Sequence, residues 1–148
     1  MLKLGSTYLY VKDMEKSLDF YEKLLEMKVS SQNFNRWAQF DFGGKCIALM
    51  NQKYDDEKMN SGESLEGIYS KEYLKRYKDY KITYGNNFVL NFYVDDLNEE
   101  YERLKNLNIG QVSPIMYLNV AAPYYLFTIE DPDGNQLEIT GNYNGEIE

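Results

Sequence analysis

Asp131-Pro132-Asp133-Gly134-Asn135-Gln136-Leu137-Glu138-Ile139 is the stretch from which the fold can be read. Pro and Gly inside an acidic turn end one strand, and the alternation of Gln136, Leu137, Glu138 and Ile139 begins another. The corner therefore joins two strands. On the second of them Glu138 points to the face opposite Leu137 and Ile139, because side chains alternate along a strand. A lone carboxylate facing the space that a sheet encloses is the first candidate for chemistry in this chain.

Working outward from the corner, strand patterns near 111–118 and 123–130 precede it and the last strand runs over 136–140. Further upstream, Phe88 to Val94 alternates as a strand, and Asp96 caps a helix whose Leu97, Tyr101, Leu104 and Leu107 share one side. The first half of the chain carries the same order. Leu4 to Val11 reads as a strand, and Asp13 as the cap of a helix with Met14, Leu18, Tyr21, Leu24 and Leu25 on one stripe. Strands at about 28–34, 36–42 and 45–51 follow, the last after the Gly43-Gly44 turn.

The two halves superpose residue by residue. A shift of 83 positions carries Val11 to Val94, Asp13 to Asp96, Met14 to Leu97, Leu18 to Tyr101 and Tyr21 to Leu104. A shift of 90 carries Gly44 to Gly134, Ile47 to Leu137, Ala48 to Glu138 and Leu49 to Ile139. The fold expected is α+β: two strand-helix-three-strand modules, 1–51 and 87–148, forming a partly open curved sheet around a cleft within one compact domain. Residues 52–86 are polar and read as a connector or a lid, with a short helix from Ser70 to about Tyr80. The last eight residues read as a loose tail.

Composition removes several function classes. The chain has no histidine, which excludes Ser-His-Asp and Cys-His activation, the usual neutral-pH base and the commonest metal ligand. A single cysteine, Cys46, excludes an internal disulfide and a multi-cysteine zinc site, and it reads as a packed strand residue. The net charge of −8, relieved only by a short basic stretch around Lys71 to Lys81, disfavours nucleic-acid binding. No run approaches the roughly 18 apolar residues of a membrane span, and the N-terminus lacks a basic-then-apolar pattern. No membrane association is expected, and the expected location is the cytoplasm.

Val11-Lys12-Asp13-Met14 through Ser17-Leu18-Asp19-Phe20-Tyr21, then Val94-Asp95-Asp96-Leu97, then the Asp131 corner with Leu137-Glu138, resemble the vicinal oxygen chelate superfamily. That superfamily includes glyoxalase I, extradiol dioxygenases, fosfomycin-resistance proteins and bleomycin-resistance proteins, and the resemblance covers nearly the whole chain. It implies four metal-ligand positions, which fall here on Ser6, Ala48, Val89 and Glu138. Only Glu138 could bind a divalent ion strongly, whereas a transition-metal site needs three or four converging donors. No metal and no other cofactor is therefore expected, and the chain is closest in character to the metal-independent bleomycin-resistance-like members.

Strand parity names what lines the cleft. If Leu9, Val11, Leu49, Phe92, Leu137 and Ile139 face the helices, their neighbours face the opening, and the binding candidates are Tyr8, Tyr10, Trp37, Asn91, Tyr93, Thr128, Gln136 and Glu138. Asp41 is expected beside them, and no Lys or Arg. Such a lining suits a flat or cationic organic molecule, held by ring contacts and a carboxylate. The function expected is small-molecule binding without turnover. The alternative is a glyoxalase-, isomerase- or dioxygenase-type enzyme with an atypical site in which Glu138 moves the proton. By resemblance the protein is expected to be a homodimer.

Overall fold

The computed structural model of the protein describes residues 1, 3, 5–86, 88–119 and 122–145. Leu4, where the pattern of the first strand begins, Asn87, where the second expected module starts, and residues 146–148 of the expected loose tail lie outside the described residues.

In chain order the elements are β1 (Thr7–Tyr10), α1 (Met14–Leu25), β2 (Ser31–Asn33), β3 (Trp37–Phe42), β4 (Lys45–Met50), α2 (Gln52–Met59), α3 (Lys71–Asp79), β5 (Leu90–Asp96), α4 (Leu97–Leu107), β6 (Met116–Asn119), β7 (Pro123–Glu130) and β8 (Gln136–Asn142). They form two open four-stranded sheets, ordered β1-β4-β3-β2 and β5-β8-β7-β6. In each, the first and last long strands of the module pair in parallel and the rest are antiparallel. The fold is α+β, and the sequence repeat is a repeat of topology. Register repeats as well: Tyr8 lies opposite Ala48, and Asn91 opposite Glu138. Gly44 at φ +72° and Gly134 at φ +83° both occupy left-handed backbone, which accounts for a glycine recurring at the turn before each last strand.

The chain forms two compact units. One comprises Met1–Met14 and Lys28–Thr83, the other Glu15–Met27 and Tyr84–Glu148. The first is built on β1–β4 with α2 and α3, and buries Leu9, Val11, Ala38, Phe40, Ile47, Leu49 and Met50. Helix α2 has no counterpart in the sequence reading, because Gln52–Met59 carries no apolar stripe. Asn51 caps it, its side chain accepting from the Lys53 amide at 3.2 Å and donating to the Asn35 carbonyl at 2.9 Å.

The second unit contains the corner with which the sequence reading began. Asp131 is buried and acts as an acceptor hub: Oδ1 takes the amides of Asp133 and Asn135 at 2.9 and 2.8 Å, and Oδ2 takes the Asn135 side chain at 2.9 Å. The fourth donor is the hydroxyl of Tyr21 on α1, at 2.7 Å. The turn thus fastens α1 to the β7–β8 corner. The other end of α1 is closed by Arg103, whose guanidinium donates to the carbonyls of Lys23 and Leu24 at 2.9 and 2.7 Å. Helix α4 starts where its cap was read, with Asp96 accepting from the Glu99 amide at 3.0 Å, and it buries Leu97 and Leu104. Leu107, expected on the same stripe, is exposed, because the helix stops there and Asn108 turns left-handed at φ +48°.

Candidate functional site

Alternation along the first sheet brings Tyr8 and Tyr10 of β1 beside Trp37 of β3 and Met50 of β4. The ring centroids of Tyr8 and Trp37 are 5.2 Å apart, and those of Tyr8 and Tyr10 are 5.8 Å apart, both edge-on. Gln52 of α2, Tyr73 and Tyr77 of α3, and Tyr80 just beyond it complete the walls of a cavity of about 260 Å³. Arg36 also lines it. That corrects the expectation of a lining without Lys or Arg: Arg36 precedes β3, where strand parity gives no orientation, and its side chain is drawn to a buried carboxylate.

That carboxylate is Asp55 of α2, fully buried at 0% exposure. Arg36 reaches it through two nitrogens, at 2.9 and 3.1 Å. Tyr69 and Tyr73 donate their hydroxyls to it at 2.7 and 3.3 Å. Asp55 therefore ties α2, α3 and the loop between them to the first sheet. Nothing in the sequence marks it, since one Asp in a polar run reads as solvated surface. Tyr73 and Tyr77 lie four residues apart on α3, and that spacing marks a helix face but not a pocket wall.

Tyr10, Tyr73 and Tyr77 of the pocket wall, and Tyr69 beside it, hold their protons above the ordinary tyrosine range. Burial, then its bond to Asp56, pushes Tyr77 up to about 12. Burial, then Tyr8 and Tyr80, raises Tyr10, and burial raises Tyr69 and Tyr73, which Asp55 raises further. A spectrophotometric phenolate titration should accordingly show a class of tyrosines that ionises at higher pH than the ordinary one, while denatured protein titrates as one class near 10. A single folded-state class near 10 would contradict the pocket's packing. Burial, then Asp41, also raises the Cys46 thiol, against a role as a nucleophile.

The remaining predicted residues lie on the second sheet. Asn91 donates to Glu138 at 2.8 Å across β5 and β8, and Thr128 of β7 is the register partner of Glu138 on its other side. Tyr93 follows on β5, 66% exposed, and Gln136 opens β8 opposite Glu130. Tyr8, Tyr10 and Trp37 thus meet in the pocket of the first unit, and Asn91, Thr128 and Glu138 in a polar row on the second. Asp41 is on the Trp37 face of β3 as expected and accepts from Gln39 at 2.8 Å, although it is not part of the pocket wall.

The family model for the glyoxalase/bleomycin resistance protein/dioxygenase superfamily matches residues 3–139. The chain belongs to this superfamily. No curated protein matches the sequence. Among solved structures, a protein from the mobile metagenome of V. Pseudocholerae is 24% identical, with a TM-score of 0.63 and 97% of each chain covered. Lactoylglutathione lyase from Agrobacterium tumefaciens is 19% identical at a TM-score of 0.62, covering 95% of this chain and 93% of its own. A bleomycin-binding protein complexed with bleomycin is 16% identical at a TM-score of 0.56, covering 95% and 99%. At these identities the likeness is one of fold.

The metal implied by many members of the superfamily does not fit these residues. At the four ligand positions Ser6 offers a neutral hydroxyl, Ala48 and Val89 offer no donor, and one oxygen of Glu138 already takes the Asn91 amide. Among the described residues, no three Cys, Asp or Glu side chains gather as a metal-binding group. No helix among them is long and apolar enough to cross a membrane.

Proposed function

We propose that the protein binds a small flat or cationic organic molecule without a metal and without transforming it. The observation that carries this reading is the cavity walled by Tyr8, Tyr10, Trp37, Tyr73, Tyr77 and Tyr80, in a chain whose described residues gather no donor set for a metal. Aromatic walls with a few fixed polar groups are the usual make-up of a small-molecule site. The bleomycin-binding protein of similar fold supports a small organic molecule as the class of ligand. On the second unit, taken by itself, Asn91, Tyr93, Thr128, Gln136 and Glu138 are proposed as polar and charged ligand contacts.

Thermal-shift and equilibrium-dialysis measurements with planar and cationic organic compounds test the reading. Trp37→Leu is expected to weaken the binding they detect by about tenfold, the loss of one aromatic anchor. Turnover of a substrate, together with stoichiometric nickel, zinc, manganese or iron in protein purified without chelators, would instead establish the enzyme reading with Glu138 as proton-transfer base. A homodimer and a cytoplasmic location complete the proposal, and light scattering on the purified chain decides the first.

A further inference from the structure

We infer that the pocket of the first unit is an aromatic cage for an alkylated ammonium head group, a tertiary or quaternary nitrogen carried on a small molecule. The inference rests on the binding reading above and narrows its ligand class.

Shape is the first argument. The cavity of about 260 Å³ lies below the roughly 300–1,000 Å³ of sites that enclose a drug-sized ligand, so it accommodates a head group. Its rings do not form a slot. Tyr8 meets Tyr10 at 76° and Trp37 at 61°, and Tyr10 meets Tyr80 at 48°. A planar ring stacks between parallel walls, whereas rings turned at these angles surround a compact, nearly spherical group from several sides.

Electrostatics is the second. Among the described residues no carboxylate lines the cavity, so a metal ion or primary ammonium would give up strong hydration for little in return. An alkylated nitrogen is weakly hydrated and gains from each ring face. Arg36 does not oppose it with a free charge, because Asp55 holds its guanidinium bidentately at 2.9 and 3.1 Å. The tyrosines are also polarised in the useful direction. Tyr73 donates its hydroxyl to Asp55 and Tyr77 donates to Asp56, and each such bond pushes electron density toward the ring. The net charge of −8 draws cations toward the molecule as a whole.

Trp37 is the sole tryptophan and lines the pocket, so its fluorescence reports occupancy directly. The test titrates the intact protein at constant ionic strength with (2-hydroxyethyl)trimethylammonium, with its uncharged carbon isostere 3,3-dimethylbutan-1-ol, and with a planar cation, N-methylacridinium. The trimethylammonium compound is expected to bind at least about tenfold more tightly than the isostere, the worth of one or two cation–π contacts. Tyr80→Leu, at a half-exposed position of the wall, should shrink that ratio severalfold, because it removes a ring face that the charge uses and so weakens the ammonium compound more than the isostere. Equal binding of ammonium and isostere, or binding of the acridinium alone, would overturn the cage while leaving the small-molecule reading intact. Silence of Trp37 toward all three compounds would overturn both.

Discussion

Asp55→Ala is expected to lower the free energy of unfolding by about 3 kcal/mol, read as a shift of the urea midpoint at unchanged slope. The side chain is fully buried and accepts four hydrogen bonds, two from Arg36 and one each from Tyr69 and Tyr73. Breaking a buried ion pair by removing one partner costs about 3–5 kcal/mol, because the other charge is left without compensation. The lower end applies because the Arg36 side chain is 35% exposed and water recovers part of its solvation. Tyr69→Phe and Tyr73→Phe, which remove donors and leave the pair intact, should each cost about 1 kcal/mol. The double variant Arg36→Met with Asp55→Leu should recover much of the loss, since apolar packing often replaces a buried pair at little cost. A loss below about 1 kcal/mol for Asp55→Ala would mean that the pair behaves as a surface salt bridge.

The same residue explains which part of the molecule was legible in advance. The sheets, α1 and α4 follow from patterns that local physics enforces: alternation in the strands, a three-four stripe in the helices, Asp96 at a cap and Gly134 in a left-handed turn. Each is decided within about ten residues, and the duplication of topology gave every reading a second instance. Helix α2 escaped because what holds it is not local. Its anchor is Arg36, 19 residues away, acting on one carboxylate in a segment polar on every face. Periodicity cannot find such a helix.

The candidate site divides along the same line. Parity along β1 and β3 placed Tyr8, Tyr10 and Trp37 on one face, and parity along β5 and β8 placed Asn91 beside Glu138. The wall made of Gln52, Tyr73, Tyr77 and Tyr80 belongs to α2, α3 and the residues that follow, so it inherits the illegibility of their anchor. This bears on function. The α2–α3 face of the pocket is held by the Asp55 cluster, so under the proposed binding function ligand affinity and the stability of α2 and α3 should respond together to substitutions at Arg36 and Asp55.

Asp131→Ala is expected to be comparably severe, at about 3 kcal/mol or more, for a different reason. No cation is among the four groups that bond this buried carboxylate; all are neutral donors, two backbone amides, the Asn135 amide and the Tyr21 hydroxyl. Each bond to a charged acceptor is worth about 1.5–3 kcal/mol, and the fully buried Tyr21 loses the acceptor that its hydroxyl meets at 2.7 Å. Tyr21→Phe removes one donor and should cost about 1–2 kcal/mol. The two variants separate further with pH. Burial, then the adjacent Asp131 carboxylate, raises Tyr21 well above its ordinary value of 10.0, so the folded protein holds this proton where the unfolded chain has released it. The resulting stability is fully present below pH 10 and is lost as pH rises beyond it, because the folded state then binds more protons than the unfolded one. Above pH 10 wild-type stability should therefore fall with increasing pH, and Tyr21→Phe should fall less steeply by up to one proton. Equal slopes in the two proteins would mean that Tyr21 ionises in place and that the corner does not depend on its hydroxyl.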